Sequence, residues 1–155
     1  TAKVSENCDI EDSVRGSVIE IGAFSNIDSF VKIKPAGGSG NIKLGKRVHI
    51  NSCCVLYSGN GILIGNNVLV AANCTFAPVN HEYKSTTLKI IDQGHAESKG
   101  GIVIEDNVWI GANCVLLDGT HIGEGSVVAA GSVVRGRIKG KSLYGGNPLK
   151  LIKSI

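Results

Sequence analysis

The sequence predicts an all-β chain wound as a parallel β-helix. Two observations carry this: a six-residue beat in the C-terminal half, and a composition of tight turns rather than of a bundle. From Ile104 to Lys139 the chain reads in sixes as IEDNVW, IGANCV, LLDGTH, IGEGSV, VAAGSV and VRGRIK. Every block opens on an aliphatic residue: Ile104, Ile110, Leu116, Ile122, Val128, Val134. The fifth place is small or β-branched throughout, at Val108, Cys114, Thr120, Ser126, Ser132 and Ile138. A period of six fits neither an amphipathic helix nor a half-buried strand. It fits a solenoid whose block is one flat face plus a corner, three blocks closing a triangular coil. Side chains alternate in and out along a strand, so the first and fifth places point inward. Glycine (21 residues), aromatics at 5% and no methionine agree with a repetitive, tightly turning β architecture.

The elements follow in order. Val4, Ile10 and Gly16 are spaced by six, with Cys8 and Val14 in fifth places, and a shortened third side follows. The phase resets at Ile21, then runs through Ile27 and Ile33 with Ser25 and Val31 inward. KPAGGSGN (34–41) is a glycine-rich corner. Leu44, Ile50 and Leu56 come next, and SGNGIL (58–63) adds two residues. Ile64, Val70 and Phe76 restart the beat. From Ala77 to Val103 it stops: APVNHEYKSTTLKIIDQGHAESKGGIV is a polar excursion with two histidines. Such a break in a regular solenoid marks a functional or disordered segment. About six coils result, forming one repeat domain over 1–139, with a tail over 140–155. Asn147 as N-cap and Pro148 at the first helical position predict a short C-terminal helix capping the solenoid.

The formal charge of +3 is too mild to point to nucleic acid, but it is unevenly spread. No acidic residue follows Glu124, whereas Arg135, Arg137, Lys139, Lys141, Lys150 and Lys153 do. This cluster is either an anion-binding end or a solvated tail. No stretch approaches the roughly 18 apolar residues of a membrane span, and no signal peptide is visible. Four of five cysteines (Cys8, Cys54, Cys74, Cys114) fall at inward fifth places as small core residues. Neither a disulfide framework nor a zinc spacing is needed, which predicts a cytoplasmic protein.

Among candidate functional residues, His81 in VNHEYK stands first. An imidazole there is suited to general-base work near neutral pH; the plain alternative is an exposed loop histidine. Glu82 is a candidate to orient its ring, although adjacent residues of an extended chain point oppositely. His49 and His121 take the last, outward places of their blocks, and His95 lies in the excursion. No two histidines are closer than 14 residues in sequence, which argues against a zinc site. Trp109, the only tryptophan, also takes an outward place. An exposed indole marks a ligand surface or a subunit interface. GAN (111–113) and AAG (129–131) bring backbone to the surface, either for a ligand or simply as corners.

The pattern VNHEYK…GGIVIEDNVWIGANCVLLDGTHIGEGSVVAAGSVV…GGNPLKLIK resembles the hexapeptide-repeat acyltransferases. Within them it is most similar to the sugar and polysaccharide O-acetyltransferases. The resemblance covers most of the chain and is strongest from Ile64 onward. It implies a left-handed β-helix, an acetyl-CoA co-substrate, no metal, and a homotrimer with active sites between subunits. It implies His81 as general base and Asn51 on the acceptor, with Asn80, Glu82 and Tyr83 around the base as further acceptor-side candidates. It places Trp109 and Gly111 in the cofactor groove, and Ala112, Ala129 and Ala130 along the pantetheine arm. Arg135, Lys150 and Lys153 fall at the cofactor's phosphate end. The acceptor it implies is a sugar or a nucleotide- or lipid-linked saccharide. Arg135-Gly136 stands where a Thr-Lys pair is common, and the excursion lacks the arginine-bearing loop of the maltose type. Two alternatives remain: a serine- or xenobiotic-type acceptor, or a metal-dependent hydratase like the γ-class carbonic anhydrases.

Overall fold

The computed structural model describes residues 1–155. Short strands of two to five residues stack into three parallel faces of a prism. The first face takes Lys3–Val4, Asn26–Ile27, His49–Ile50, Leu69–Val70, Trp109–Ile110 and Val127–Val128. The second takes Asp9–Ile10, Lys32–Lys34, Val55–Tyr57, Thr75–Ala77, Val115–Leu117 and Val133–Val134. The third takes Ile19–Ile21, Ile42–Leu44, Ile62–Ile64, Ile102–Ile104, Thr120–Ile122 and Arg137–Ile138. One strand from each face makes a coil, so the chain winds six coils, as the hexads predict. Each coil pairs in parallel with the next, through bonds such as Leu69 N–H to Val108 O (2.9 Å) and Trp109 N–H to Ser126 O (3.0 Å).

The first and fifth places line the core. From Ile104 to Ile138 every one of them is buried. In-register stacking builds columns such as Ile27, Ile50, Val70, Ile110 and Val128. Together 25 buried apolar residues form one continuous core. Phe76, fully buried, is its largest side chain, and truncating it to alanine is expected to cost about 3–5 kcal/mol. The cysteine column does more than fill space. Cys54, Cys74 and Cys114 each place Sγ 3.2 Å from a corner carbonyl of the following coil, that of Ala71, Gly111 and Ala129 respectively.

The fourth place of the block turns the first two corners. Arg47, Cys53, Asn67, Asn73, Asn107 and Asn113 all hold φ between +56° and +62° there. Asparagine tolerates this left-handed region; Phe24 and Phe30, at φ +63° and +62°, are less suited to it.

Two sequence expectations are corrected. The first coil is not built like the rest. Val4 and Ile10 are 41% and 42% exposed, and Val14, expected inward, is 93% exposed. No coil lies beneath them, and Val14 sits in the loop closing the shortened third side. The C-terminal helix is absent as well. Ser142–Gly145 adds a seventh strand to the first face, and Lys150–Ser154 folds back on it antiparallel through a turn with a cis Asn147–Pro148 bond. The open edge of Ser142–Gly145 offers a row of backbone partners, which an isolated helical turn lacks.

Candidate active site

The excursion leaves the second face after Ala77 and rejoins the third at Ile102, at the corner between them in the fourth coil. Its outgoing leg rests on the coils below. A Cβ on Gly59 would lie 3.0 Å from Pro78, and one on Gly37 would lie 2.8 Å from Val79. The returning leg is tied to the coil above. Buried Asp118 accepts the Lys99 and Gly101 N–H groups, both at 2.8 Å. That carboxylate, an important anchor, went unnoticed in the sequence because it occupies an ordinary corner place.

Between these legs the excursion is a narrow hairpin. Glu82 N–H donates to Gly94 O (3.0 Å) and Ala96 N–H to Asn80 O (2.8 Å). These bonds bracket His81 and His95, which face each other across the hairpin with ring centroids 5.0 Å apart. Both are exposed. Glu82 does not orient the His81 ring. Its carboxylate accepts the Tyr83 and Lys84 N–H groups at 2.8 and 3.0 Å, and these bonds hold it below the usual carboxylate range. Tyr83 is 70% exposed, and Asn80 is half-buried at the hairpin's base. Beyond Tyr83 the loop is closed by Gln93, whose amide bonds Ser85 N–H, Ser85 O and Leu88 O.

The other candidates lie on a different edge of the prism. Asn51, Gly111, Ala112, Ala129 and Ala130 run along the corner between the first and second faces. Asn51 donates from Nδ2 to Val70 O at 2.8 Å. Gly111 is required by the fold itself: a Cβ there would sit 2.5 Å from Ala130 N. Ala130 is exposed and Ala112 partly so, leaving a low-walled strip of backbone. Trp109, half exposed, stands beside this strip on the first face, in register with Leu69 and Val127. Arg135 lies at the second–third corner of the sixth coil, where it lines a concavity with Arg137, Tyr144 and Asn147–Leu149. Lys150 and Lys153 follow on the exposed last strand.

Within one chain, then, His81 and Arg135 share one edge, while Trp109 and the alanine strip lie around another. His49 projects from the first face with no side-chain partner. His121, on the third face, has Nε2 2.6 Å from Glu105 Oε1. No group of three or more His, Cys, Asp or Glu side chains is placed to hold a metal ion. The buried Cys114 thiol, beside Cys74, is pushed well above its ordinary pKa by that neighbour and by burial, which disfavours it as a nucleophile.

Comparisons with known proteins agree with this fold. Residues 101–136 match the bacterial transferase hexapeptide (six repeats) family. Two bacterial relatives carry acetyltransferase names. One, from Staphylococcus aureus strain N315, is 40% identical over 115 residues, covering 74% of this chain and 56% of its own. The other, from Mycobacterium tuberculosis, is 34% identical over 136 residues, covering 88% and 44%. The chain thus spans about half the length of the curated relatives it matches. Among solved structures, a variant of the Bacillus cereus N-acyltransferase AntD, in complex with dTDP-4-amino-4,6-dideoxyglucose and coenzyme A, superposes with TM-score 0.79. It is 26% identical and covers 97% of this chain and 79% of its own. A maltose O-acetyltransferase from Clostridium difficile superposes with TM-score 0.64 at 23% identity, covering 100% and 67%. The fold is therefore the left-handed β-helix of these enzymes. No helix of the chain is long and apolar enough to cross a membrane.

Proposed function

We propose, for a chain that carries the bacterial transferase hexapeptide repeat, that it transfers an acetyl group from acetyl-CoA to a sugar hydroxyl. The observation that carries this reading is the placement of His81: exposed, on a loop anchored at both legs, at the one long break in the coil. The acetyltransferase names of the relatives support it. The acceptor is a sugar or a surface-polysaccharide precursor, with a nucleotide-linked saccharide the first to test, given AntD's ligand. The same likeness keeps an amine in view as the acceptor atom.

In this mechanism His81 accepts the hydroxyl proton as the oxygen attacks the thioester carbonyl. The tetrahedral intermediate collapses, the C–S bond breaks, and coenzyme A leaves as the thiolate or, with a proton returned to it, as the thiol. Backbone N–H groups stabilise the oxyanion. Trp109, Gly111, Ala112, Ala129 and Ala130 form the wall along which the pantetheine arm lies. Arg135, Lys150 and Lys153 meet its phosphates through charge-assisted bonds. Asn51, Asn80 and Tyr83 contact the acceptor. Because the His81 edge and the Trp109 edge are different corners of one prism, the working site joins His81 of one subunit to the wall of the next in a homotrimer.

The test is release of coenzyme A from acetyl-CoA across nucleotide sugars, free sugars and amino sugars. With the accepted substrate, His81→Ala is expected to lower kcat about 10²–10⁴-fold while acetyl-CoA still raises the melting temperature. Undiminished turnover in that variant would overturn the reading.

A further inference from the structure

His81 and His95 are separated by 14 residues in sequence, yet they are cross-strand partners. The flanking bonds, Glu82 to Gly94 and Ala96 to Asn80, make them a non-hydrogen-bonded antiparallel pair. In such pairs the Cα atoms approach to about 4.5 Å and the side chains stand on one face of the ribbon. The ring centroids are 5.0 Å apart and the planes tilted by 58°, so the rings are not stacked. A tetrahedral zinc ion binds imidazole at about 2.1 Å, and with each ring centre about 1.1 Å behind its nitrogen, two such rings have centres about 5 Å apart. The observed separation matches that chelate. Both rings are exposed, and the neighbouring Glu82 carboxylate is occupied by backbone N–H groups, so neither ring is engaged by an acidic partner.

We propose that His81 and His95 form a two-imidazole chelate for a borderline transition-metal ion such as Zn²⁺, and that occupancy silences the enzyme. Two protein ligands leave the remaining positions of the ion to water, as befits an open, reversible site. The ion takes the imidazole lone pair that would otherwise accept the acceptor's proton. The inhibitory half of this inference rests on the acetyl-transfer reading; the binding half does not.

Zinc chloride titrated calorimetrically into the full chain, in a buffer that does not chelate, tests both. One ion per chain is expected, with affinity at least about tenfold weaker in His81→Ala and in His95→Ala and retained in His49→Ala. His95→Gln, with melting curves on every variant, separates loss of a ligand from loss of the fold. Absence of binding to the unsubstituted chain at millimolar zinc, or binding indifferent to His95, would overturn the chelate. With turnover established, zinc is expected to inhibit at the concentrations that fill the site and to lose at least about tenfold of its potency against His95→Gln. Inhibition unaffected by that substitution would overturn the regulatory role. A chain that binds zinc through this pair but acetylates nothing would instead remove the acetyl-transfer reading.

Discussion

At the scale of single residues, the Glu105–His121 contact on the third face offers a clean test of electrostatics. His121 first, then the Glu124 N–H (2.9 Å), hold the Glu105 carboxyl below its ordinary value of 4.5. A carboxyl whose folded pKa is depressed stabilises the fold above its unfolded value. That contribution is lost as pH falls through the lower folded value. Glu105 is 41% exposed, so the contribution is that of a screened surface pair, on the order of 1 kcal/mol or less. Glu105→Gln is expected to melt lower than the unsubstituted chain at pH 7, with the gap closing toward pH 3. Thermal denaturation at the two pH values checks this, and an equal gap at both would assign the effect to packing. Residues of this kind were only partly legible beforehand. The outward place of His121 followed from the hexad, but its partner lies 16 residues away on the preceding coil. The pairing of His95 with His81 escapes for the same reason: spacing along the chain hides a pair that a hairpin brings together.

Elements show more sharply what the pattern could and could not reveal. Where the beat is unbroken, inward and outward places were readable residue by residue, because stacking forces one geometry on every coil. At 140–155 the reading failed. Asn147-Pro148 is a good helix start, but the five residues that follow pair with a free strand edge instead. Local propensity lost to backbone bonds that only the assembled first face provides. The corners carry their own prediction. Phe24 and Phe30 are 71% and 67% exposed and hold left-handed conformations that asparagine supplies elsewhere in the solenoid. Replacing either with asparagine removes a backbone penalty of about 1 kcal/mol, and is expected to raise Tm by roughly 2–4 °C. Calorimetry decides it. A fall in Tm would mean that the exposed rings contribute more through contact than they cost in backbone strain.

For the whole molecule, the proposed site, with its two residue sets on different edges of one prism, predicts that catalysis needs neighbouring subunits. His81→Ala removes the base, and Ala130→Arg, at an exposed corner place, blocks the wall. Each alone is expected to be nearly inactive. Subunits of the two variants dissociated and reassembled one to one should recover roughly a quarter of full activity, since a quarter of sites in randomly mixed cyclic trimers then pair two undamaged halves. Light scattering fixes the trimer, and recovered turnover fixes the shared site. No recovery in mixed trimers would place each site within one chain. The excursion marks the limit of what could be read: its existence followed from the lost beat, but its hairpin did not, because no period governs a segment that packs outside the stack.

The way that segment is attached has one more consequence. Its ends, Ala77 and Ile102, belong to strands already held by the coils on either side, and the next coil turns the same corner with Asp118 and Gly119. The insertion is thus a cassette between fixed sockets. A lineage of such chains is free to trade it, length and all, while the inherited scaffold beneath stays untouched.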